Sequence, residues 1–321
     1  MKILVTGGAG FIGSHFVKMA LAGEFDGIAS IRVIDKFTYS GLKSNLESVK
    51  NHKNFELKIG DITNPSDIAM ACVGVDAVVN FAAESHVDRS ISDSSAFIHT
   101  NVEGVRVLLD KCRELGIRFL QVSTDEVYGS TSEGSWTEEF PLEPNSPYSA
   151  SKASGDLLVR SFHKTYDVDT IITRCSNNYG PNQFPEKIIP LFITNLIENK
   201  QVPVYGDGEN IRDWLHVTDH CRGIALALRK GKSGEIYNIG GGQELSNIQL
   251  TKSILNIFGY GDEKINFVED RKGHDFRYSV NWGKAEQDLG YRPEVNFNDG
   301  LIDTVSWYKN NTSWWGNLKT K

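Results

Sequence analysis

Tyr148 and Lys152 form a pair whose spacing predicts proton-transfer chemistry. They are four residues apart, so an α-helix would present both side chains on one face. Ser146 is a predicted N-cap and Pro147 a predicted first helical residue, which places Tyr148 in the first turn. A phenol has an ordinary pKa of about 10, but a nearby ammonium group and a helix N-terminus both favour its anion. Tyr148 is therefore a candidate base at neutral pH, with Lys152 as its partner.

Two adjacent carboxyl groups, those of Asp125 and Glu126, follow a strand predicted at residues 119–123. Ligands of open parallel sheets bind outside the carboxyl ends of the strands, so these groups should face a ligand. The elimination of water needs an acid and a base, and two carboxyls can supply both when their environments separate their pKa values. Thr124, directly before them, could hydrogen-bond a substrate hydroxyl. The predicted catalytic residues are Thr124, Asp125, Glu126, Tyr148 and Lys152.

A glycine string at residues 7–13 predicts a dinucleotide site. It follows the first predicted strand, opens a helix, and fits both G-x-x-G-x-x-G and, from Gly8, G-x-G-x-x-G. Glycine lets the turn tighten and lets backbone N–H groups approach a pyrophosphate at the helix N-terminus. Asp35 closes the second predicted strand and can accept hydrogen bonds from the adenosine ribose, which favours NAD over NADP. Lys36 follows it, so charge alone leaves NADP open.

The composition narrows the class of protein. The chain has 321 residues, 40% of them hydrophobic, and a formal net charge of −7. That charge argues against general nucleic-acid binding, which needs a basic surface. The four cysteines form no C-x-x-C pair, and no stretch approaches about 18 uninterrupted apolar residues, so we expect reduced thiols and a cytoplasmic protein. His216 and His220 could suggest a metal, but we expect none, because the predicted hydride chemistry needs none.

Short apolar segments alternate with helical segments in the first half of the chain. Strands are predicted at residues 3–5, 31–34, 57–59, 77–81 and 119–123, and helices at residues 11–21 and 102–114 among others. This alternation predicts an α/β fold, a doubly wound parallel sheet of the Rossmann type. Loop residues become frequent from about residue 175, so we place a cofactor domain at residues 1–174 and a smaller α/β substrate domain at residues 175–321. A segment near residues 212–240 is expected to return to the first domain.

These motifs together resemble the extended short-chain dehydrogenase/reductase family. The resemblance covers nearly the whole chain and rests on the glycine string, Asp35, the triplet 124–126, the Tyr148–Lys152 pair, and the segments 81–88 and 176–181. Within the family the chain is similar to the dehydratases that act on dTDP-glucose, because the epimerases and decarboxylases of nucleotide sugars usually lack the Asp-Glu pair. Three alternatives stay open: a UDP-hexose 4,6-dehydratase, a nucleotide-sugar 4-epimerase, and a dinucleotide-sensing regulator without chemistry.

The resemblance implies a role for each catalytic side chain. Tyr148 would deprotonate the C4 hydroxyl of the sugar while hydride passes from C4 to NAD⁺, and Lys152 would lower the pKa of Tyr148 and hold the nicotinamide ribose. Glu126 would remove the C5 proton, and Asp125 would protonate the departing C6 hydroxyl. Hydride returned to C6 would give a 4-keto-6-deoxy sugar. NAD, regenerated in each turnover, would stay tightly bound.

Together with the motifs, the resemblance implies the remaining site residues and the assembly. The expected cofactor-binding residues are Gly7, Gly10, Phe11, Ile12, Gly13, Asp35, Lys36, Thr38, Asp61, Ile62, Ala82, Ala83, Ser85, Thr100, Tyr148, Lys152 and Asn178. The expected substrate-binding residues are Ser85, His86, Thr124, Asn177, Lys187, Ile188, Pro203, Tyr205, Arg212, Asn247, Arg271 and His274. Lys272 stands where family members often have proline. We expect a homodimer paired through the helices after Asn101 and after Pro147, with a nucleotide sugar as ligand and no nucleic-acid or membrane partner.

Overall fold

The structure, a computed structural model, describes residues 1–270 and 273–319. Its strands within those ranges are β1 (Lys2–Thr6), β2 (Ser30–Asp35), β3 (Phe55–Ile59), β4 (Ala77–Asn80), β5 (Arg118–Thr124), β6 (Thr170–Cys175), β7 (Asn177–Tyr179), β8 (Val202–Tyr205), β9 (Ile211–His216), β10 (Ile236–Ile239), β11 (Glu244–Ser246) and β12 (Ile265–Val268). Its α-helices there are α1 (Phe11–Leu21), α2 (Pro65–Ala71), α3 (Val87–Ser92), α4 (Ser95–Ile98), α5 (Val105–Leu115), α6 (Pro147–Tyr166), α7 (Ile188–Ile197), α8 (Val217–Lys230), α9 (Asn247–Phe258), α10 (Gly283–Leu289), α11 (Phe297–Asn310) and α12 (Thr312–Trp315). Short 3₁₀ segments lie at Lys43–Val49, Asp125–Tyr128 and Asp262–Lys264, and a π-helical segment, His99–Gly104, leads into α5.

The main sheet has seven parallel strands in the described part of the chain, in the order β3, β2, β1, β4, β5, β6, β10. Ile3, Leu4 and Val5 of the central strand β1 are fully buried, because a continuous apolar run suits a strand that is covered on both faces. Val5 pairs with Val33 on one side and with Val79 on the other. The predicted doubly wound α/β fold is confirmed, and each of the five predicted strands is present.

Helix α6 carries Tyr148 and Lys152, and its start is fixed by the sequence as predicted. The Ser146 hydroxyl accepts a hydrogen bond from the Ser149 backbone N–H at 3.1 Å, and the Ser149 hydroxyl accepts one from the Ser146 N–H at 3.0 Å. This reciprocal capping satisfies two N–H groups at the helix start. Pro147 occupies the first turn, where its missing N–H costs nothing. Tyr148 therefore enters the site from the first turn of a well-defined helix.

Residues from the second half of the chain pack both into the core of the main sheet and into a core of their own. Helix α8 packs against α1, and β10 extends the main sheet beside β6, so Tyr237 and Ile239 share a core with Ile3. A second core lies among α7, α9 and α11, with Ile193 and Ile254 at its centre. Strands β7, β9 and β11 form a small sheet between these parts, in the order β11, β9, β7. The division of the chain at residues 174 and 175 stays a prediction.

Candidate active site

The glycine string forms a tight cradle between β1 and α1. Gly7 has a φ of +65°, a left-handed conformation that favours glycine. A Cβ atom on Gly7 would lie 2.6 Å from the Ala82 backbone nitrogen, and one on Gly13 would lie 2.4 Å from the Gly7 carbonyl oxygen. The absence of side chains therefore lets the backbone fold closely over the start of α1, which is the arrangement that a pyrophosphate group needs.

Asp35 lies at the end of β2 with both carboxylate oxygens anchored to the backbone. The Ala9 N–H donates to Oδ2 at 2.9 Å, and the Phe37 N–H donates to Oδ1 at 2.8 Å. Burial raises the pKa of Asp35, while these two hydrogen bonds oppose the rise. The Lys36 ammonium lies 3.3 Å from the Asp61 carboxylate, so its charge is already paired on this side of the cavity.

Two connected cavities contain the expected cofactor residues. They share Gly7, Gly10, Ser40, Phe81 and Ala83, so they form one groove along the carboxyl edge of the sheet. The half beside Asp35, where the adenosine was expected, is lined by Gly7, Gly10, Asp35, Lys36, Thr38, Asp61, Ile62, Ala82, Ala83 and Thr100. The other half is lined by Phe11, Ile12, Gly13, Ser85, Tyr148, Lys152 and Asn178. The structure therefore brings all of these residues to a single groove.

Tyr148 and Lys152 lie at the inner end of this groove, both deeply buried. The Lys152 Nζ donates a hydrogen bond to the Val122 carbonyl oxygen at 2.7 Å, which ties α6 to β5. Burial raises the pKa of Tyr148 well above its usual value, and the negative charge of Glu126 adds to this effect, while a hydrogen bond with Thr124 opposes it. This direction is opposite to the one expected from a lysine and a helix N-terminus, because the sequence did not reveal how deeply the phenol is buried.

Asp125 lies at the end of β5 and is only 2% exposed. Burial raises the pKa of its carboxyl well above the usual value, and the charges of Glu126 and Asp213 raise it further. The Thr124 hydroxyl donates to Oδ1 at 3.3 Å, whereas Oδ2 is buried and has no hydrogen-bond partner among the residues that the structure describes. Its surroundings therefore favour the protonated form of Asp125, and Oδ2 faces the cavity that a second carboxyl group, that of Glu126, also lines.

A third cavity, of about 200 Å³, continues from the catalytic end of the groove. It shares Glu126, Asn177 and Lys187 with the cavity that contains Tyr148. The expected substrate residues that line it are His86, Asn177, Lys187, Ile188, Pro203, Tyr205, Arg212, Asn247 and His274, while Ser85 and Thr124 line the catalytic end. Arg271 and Lys272 lie outside the described residues. The three cavities follow one another. Together they could hold a dinucleotide and a second extended ligand end to end.

Arg212 and Lys187 bring positive charge to this third cavity. The Arg212 Nη2 donates to the Asp275 carbonyl oxygen at 2.9 Å, and its guanidinium carbon lies 4.1 Å from the centre of the Tyr278 ring. The Lys187 Nζ donates to the Ser85 carbonyl oxygen at 2.8 Å. These contacts hold both cations in place. A phosphate or carboxylate group of a ligand would be a suitable partner for them.

Several buried polar atoms in the wall of these cavities have no hydrogen-bond partner within residues 1–270 and 273–319. They are Ser123 Oγ, Asp125 Oδ2, Asn177 Oδ1, Gln183 Oε1 and Trp214 Nε1. Buried polar groups are nearly always hydrogen-bonded in native proteins, because desolvation without a partner is unfavourable. Because these atoms surround one space, a polar ligand bound there could supply their missing hydrogen bonds.

Sequence reasoning missed several residues of the site. Glu186 lines the catalytic and third cavities, and its carboxylate accepts a hydrogen bond from the Tyr39 hydroxyl at 3.1 Å. Gln183 also lines both, and Tyr278 lines the third. The position of Glu186 directly before Lys187 was the one available signal. Tyr278 reaches the site from a distant part of the chain without any local motif, so its role could not be found in the sequence.

The two histidines that could suggest a metal, His216 and His220, make contacts with different partners. The His216 Nδ1 lies 2.7 Å from the Thr218 hydroxyl at the start of α8, and the His220 Nδ1 lies 2.9 Å from Asn178 Oδ1. Over the described ranges, no group of three or more His, Cys, Asp or Glu side chains is arranged to hold a metal ion.

Over the same ranges, no helix combines the length and the apolar character needed to cross a bilayer.

Comparisons with known proteins identify the family. The family model described as GDP-mannose 4,6 dehydratase matches residues 4–304. The dTDP-glucose 4,6-dehydratase of Actinoplanes sp. is 54% identical over 319 residues, which cover 98% of this chain and all of that protein. The chain belongs to the dTDP-glucose 4,6-dehydratase family. The family expected from the glycine string, the acid pair and the Tyr148–Lys152 pair is thereby confirmed.

Solved structures of family members and of more distant relatives share the fold. The crystal structure of the dTDP-glucose 4,6-dehydratase DesIV from Streptomyces venezuelae, which has NAD bound, matches with a TM-score of 0.98 at 54% identity, over 99% of this chain and 100% of that one. A UDP-glucuronic acid 4-epimerase from Bacillus cereus, in complex with its substrate and NAD, matches with a TM-score of 0.90 at 30% identity, over 97% of this chain and 99% of that one. The fold is therefore common to dehydratases and epimerases, and the side chains at the site must separate them.

Proposed function

We propose that this chain is an NAD-dependent hydro-lyase that converts dTDP-glucose into dTDP-4-dehydro-6-deoxy-glucose. The reaction oxidises C4, removes water across C5 and C6, and reduces C6. One observation carries the proposal: the buried Asp125, whose pKa is raised, and the carboxyl group of Glu126 line the same cavity as Tyr148 and Lys152. This combination supplies an acid and a base for elimination beside a pair suited to alcohol oxidation.

The glycine cradle and Asp35 would hold NAD along the groove. Backbone N–H groups at the start of α1 would contact the pyrophosphate, and the carboxylate of Asp35, fixed by Ala9 and Phe37, would accept hydrogen bonds from the adenosine ribose. The cradle suits this group because the absence of a Cβ atom at Gly7 and Gly13 lets the backbone close tightly around the start of α1. NAD, when bound, supplies the hydride acceptor for C4 and a positive charge near the phenol of Tyr148.

Tyr148 would take the proton of the C4 hydroxyl. Burial alone keeps this phenol protonated, so its conversion to a base requires positive charge nearby. The ammonium group of Lys152 is held in the same cavity by the Val122 carbonyl oxygen. The Thr124 hydroxyl would also help if it turned from Asp125 Oδ1 to the phenol oxygen, since its hydrogen bond favours the phenolate. Oxidation would therefore depend on the charges that meet at this end of the groove.

Asp125 and Glu126 would carry out the elimination. The C4 ketone makes the C5 proton acidic, and Glu126 would accept that proton as the C6–O bond breaks. Asp125 would give its proton to the departing oxygen, so that water leaves rather than hydroxide. Glu126 would then return its proton to C5 as C6 is reduced. The proton that Tyr148 took from the C4 hydroxyl balances the one that Asp125 gave to water, and its return to Asp125 through solvent would restore both groups. The buried Oδ2 atom of Asp125, which lacks a partner among the described residues, is the atom best suited to meet the C6 hydroxyl.

The nucleoside diphosphate would occupy the third cavity. Arg212 and Lys187 would pair with the diphosphate, since guanidinium and ammonium groups are favoured phosphate ligands. Asn177 would bridge the sugar and diphosphate, and Pro203 and Tyr205 would border the base. Tyr278, under the guanidinium of Arg212, would hold that cation in position.

The experiment that tests this proposal follows the product. Purified protein is incubated with dTDP-glucose without added reductant, and parallel samples contain UDP-glucose. The proposal predicts loss of one water and a C4 ketone from dTDP-glucose, identified by mass and NMR. An unchanged mass with inversion at C4 would indicate an epimerase. Turnover of UDP-glucose but not of dTDP-glucose would show that the enzyme is specific for the UDP sugar. No turnover of any hexose nucleotide would contradict the enzyme assignment.

We further propose that the chain works as a homodimer in a reducing cytoplasm. The apolar side chains of Ile98, at the end of α4, and of Leu157, in α6, are about half exposed, which suits a surface covered by a second copy of the chain. All four cysteines are free thiols and buried. Light scattering of the wild type and of Leu157→Asp tests the dimer. Dimeric mass for the wild type and monomeric mass for the variant support it, and a wild-type monomer contradicts it.

A further inference from the structure

A buried ionic chain lies behind the catalytic residues and has no part in the proposed chemistry. It consists of Asp156 in α6, Arg174 in β6 and Tyr128 at the end of the 3₁₀ turn that carries Asp125 and Glu126. In the described part of the chain, none of Asp156, Arg174 and Tyr128 lines the cavities of the proposed site. All three are nearly inaccessible to solvent.

Arg174 joins the other two residues directly. Its Nε donates to Asp156 Oδ2 at 2.9 Å, and its Nη1 donates to the Tyr128 hydroxyl oxygen at 2.8 Å. The guanidinium carbon lies 4.8 Å from the centre of the Tyr128 ring. A planar guanidinium has donors in fixed directions, so it sets the angle and distance between its partners as well as joining them. Asp156 and Tyr128 are therefore held at a defined separation.

Tyr128 is fixed on its other sides too. Its hydroxyl donates to Asn238 Oδ1 at 2.9 Å, and its ring stacks on Trp136 with centroids 5.4 Å apart. Asn238 in turn donates from Nδ2 to the Trp136 carbonyl oxygen at 3.0 Å. The hydroxyl thus accepts one hydrogen bond and donates one, and the end of the catalytic turn cannot rotate without breaking them.

The two ends of the chain lie next to different halves of the proposed catalytic group. Asp156 is one helical turn beyond Lys152 on α6, and Tyr128 is two residues beyond Glu126. The charge of Asp156 also supports the charged form of Lys152, since it opposes the lowering of the Lys152 pKa by burial. A buried ion pair contributes little net stability compared with apolar residues of the same volume, so its presence here calls for another reason.

We propose that Asp156, Arg174 and Tyr128 are positioning residues that set the distance between the oxidation pair, Tyr148 and Lys152, and the elimination pair, Asp125 and Glu126. The inference rests on the proposed dehydratase function. Both pairs must reach one hexose ring, at C4 for the first and at C5 and C6 for the second. Loosening the turn should therefore slow elimination more than oxidation, because Lys152 keeps its own bond to Val122.

Tyr128→Phe is the most selective test, because it removes one hydroxyl and keeps the ring. Arg174→Lys is the second variant, which keeps a positive charge opposite Asp156 but cannot bridge both partners. Tyr291→Phe is the matched control: that tyrosine is equally buried, and its hydroxyl donates to the Gly240 carbonyl oxygen at 2.8 Å in a different part of the fold. Each variant is mixed with dTDP-glucose in D₂O, with bound NADH followed at 340 nm and water loss and C5 deuterium by quenched-flow mass spectrometry.

We expect Tyr128→Phe and Arg174→Lys to slow water loss and C5 exchange by at least about tenfold, with NADH formation within about threefold of wild type. Bound NADH should then accumulate in these two variants. Tyr291→Phe should stay within about twofold of wild type in every step. Equal slowing of oxidation and elimination in both variants, or no slowing in either, would overturn the positioning role. Wild type that forms no NADH and no product would instead contradict the proposed function.

Discussion

Replacing Asp125 with asparagine isolates the proton that the proposed mechanism takes from this residue. The substitution keeps the size of the side chain and its acceptor for the Thr124 hydroxyl, and it removes the acidic proton. Burial favours the neutral form of this carboxyl, so the neutral amide is compatible with its surroundings. We therefore expect Asp125→Asn to fold with a melting temperature at neutral pH that is no lower than that of wild type.

The effect on turnover should be large and confined to one step. A positioned general acid contributes about 10²–10⁴-fold to a rate, which corresponds to about 2.7–5.4 kcal/mol of barrier. Water loss should fall by that factor in Asp125→Asn, while bound NADH still forms at a rate within about threefold of wild type. Stopped-flow absorbance at 340 nm and quenched-flow mass spectrometry separate the two steps.

A substrate with a better leaving group provides the control. Fluoride at C6 needs less help from an acid than hydroxide does, so Asp125→Asn should recover most of its lost elimination rate with dTDP-6-fluoro-6-deoxy-glucose. Wild type should gain much less from the same change. If the variant eliminated water from dTDP-glucose at the wild-type rate, or lost C4 oxidation in the same proportion, the assignment of Asp125 as the acid would be refuted.

Three further predictions address the base, the cofactor cradle and the pH dependence. Glu126→Gln should still reduce bound NAD⁺ but should exchange C5 with solvent deuterium at least about 100-fold more slowly, measured by NMR; exchange at the wild-type rate would show that another group is the base. Gly13→Ala should lose bound NAD on gel filtration, measured by the absorbance of the released nucleotide, because its Cβ would lie 2.4 Å from the Gly7 carbonyl oxygen; a variant that retains NAD fully would contradict the cradle. The pKa of Asp125 is raised in the folded protein, so wild type loses stability as pH rises above the ordinary pKa of about 4, where the unfolded chain releases this proton. Thermal denaturation should therefore show Asp125→Asn gaining stability relative to wild type from about pH 4 upwards, and a difference that is constant with pH would contradict the raised pKa.

The sheet and the catalytic motifs were predictable because they depend on local signals. Buried strands appear as short apolar segments, and the start of α6 is encoded by Ser146 and Pro147, whose capping chemistry acts over three residues. The glycine string is equally local, since backbone geometry excludes a side chain at Gly7 and Gly13. In each case the residues that specify the feature are neighbours in the chain.

The features that the sequence could not provide arise from burial and from contacts between distant segments. The pKa of Tyr148 rises because several elements bury the phenol, whereas the motif alone suggested that it would fall. Tyr278 contacts Arg212, and Arg174 joins Asp156 to Tyr128, across separations of 18 or more residues that follow no recognisable spacing. Such contacts depend on how the sheets and helices pack, and a linear pattern does not record them.

The central claim is that one active site oxidises C4, expels water and returns the same hydride to C6. The most direct measurement uses dTDP-glucose labelled with deuterium at C4, incubated with the protein and its bound NAD in the presence of excess unlabelled NADH. The account predicts product that carries the label at C6 in nearly every molecule, seen by NMR and mass. Product with the label diluted by free NADH, or with the label still at C4, would contradict it.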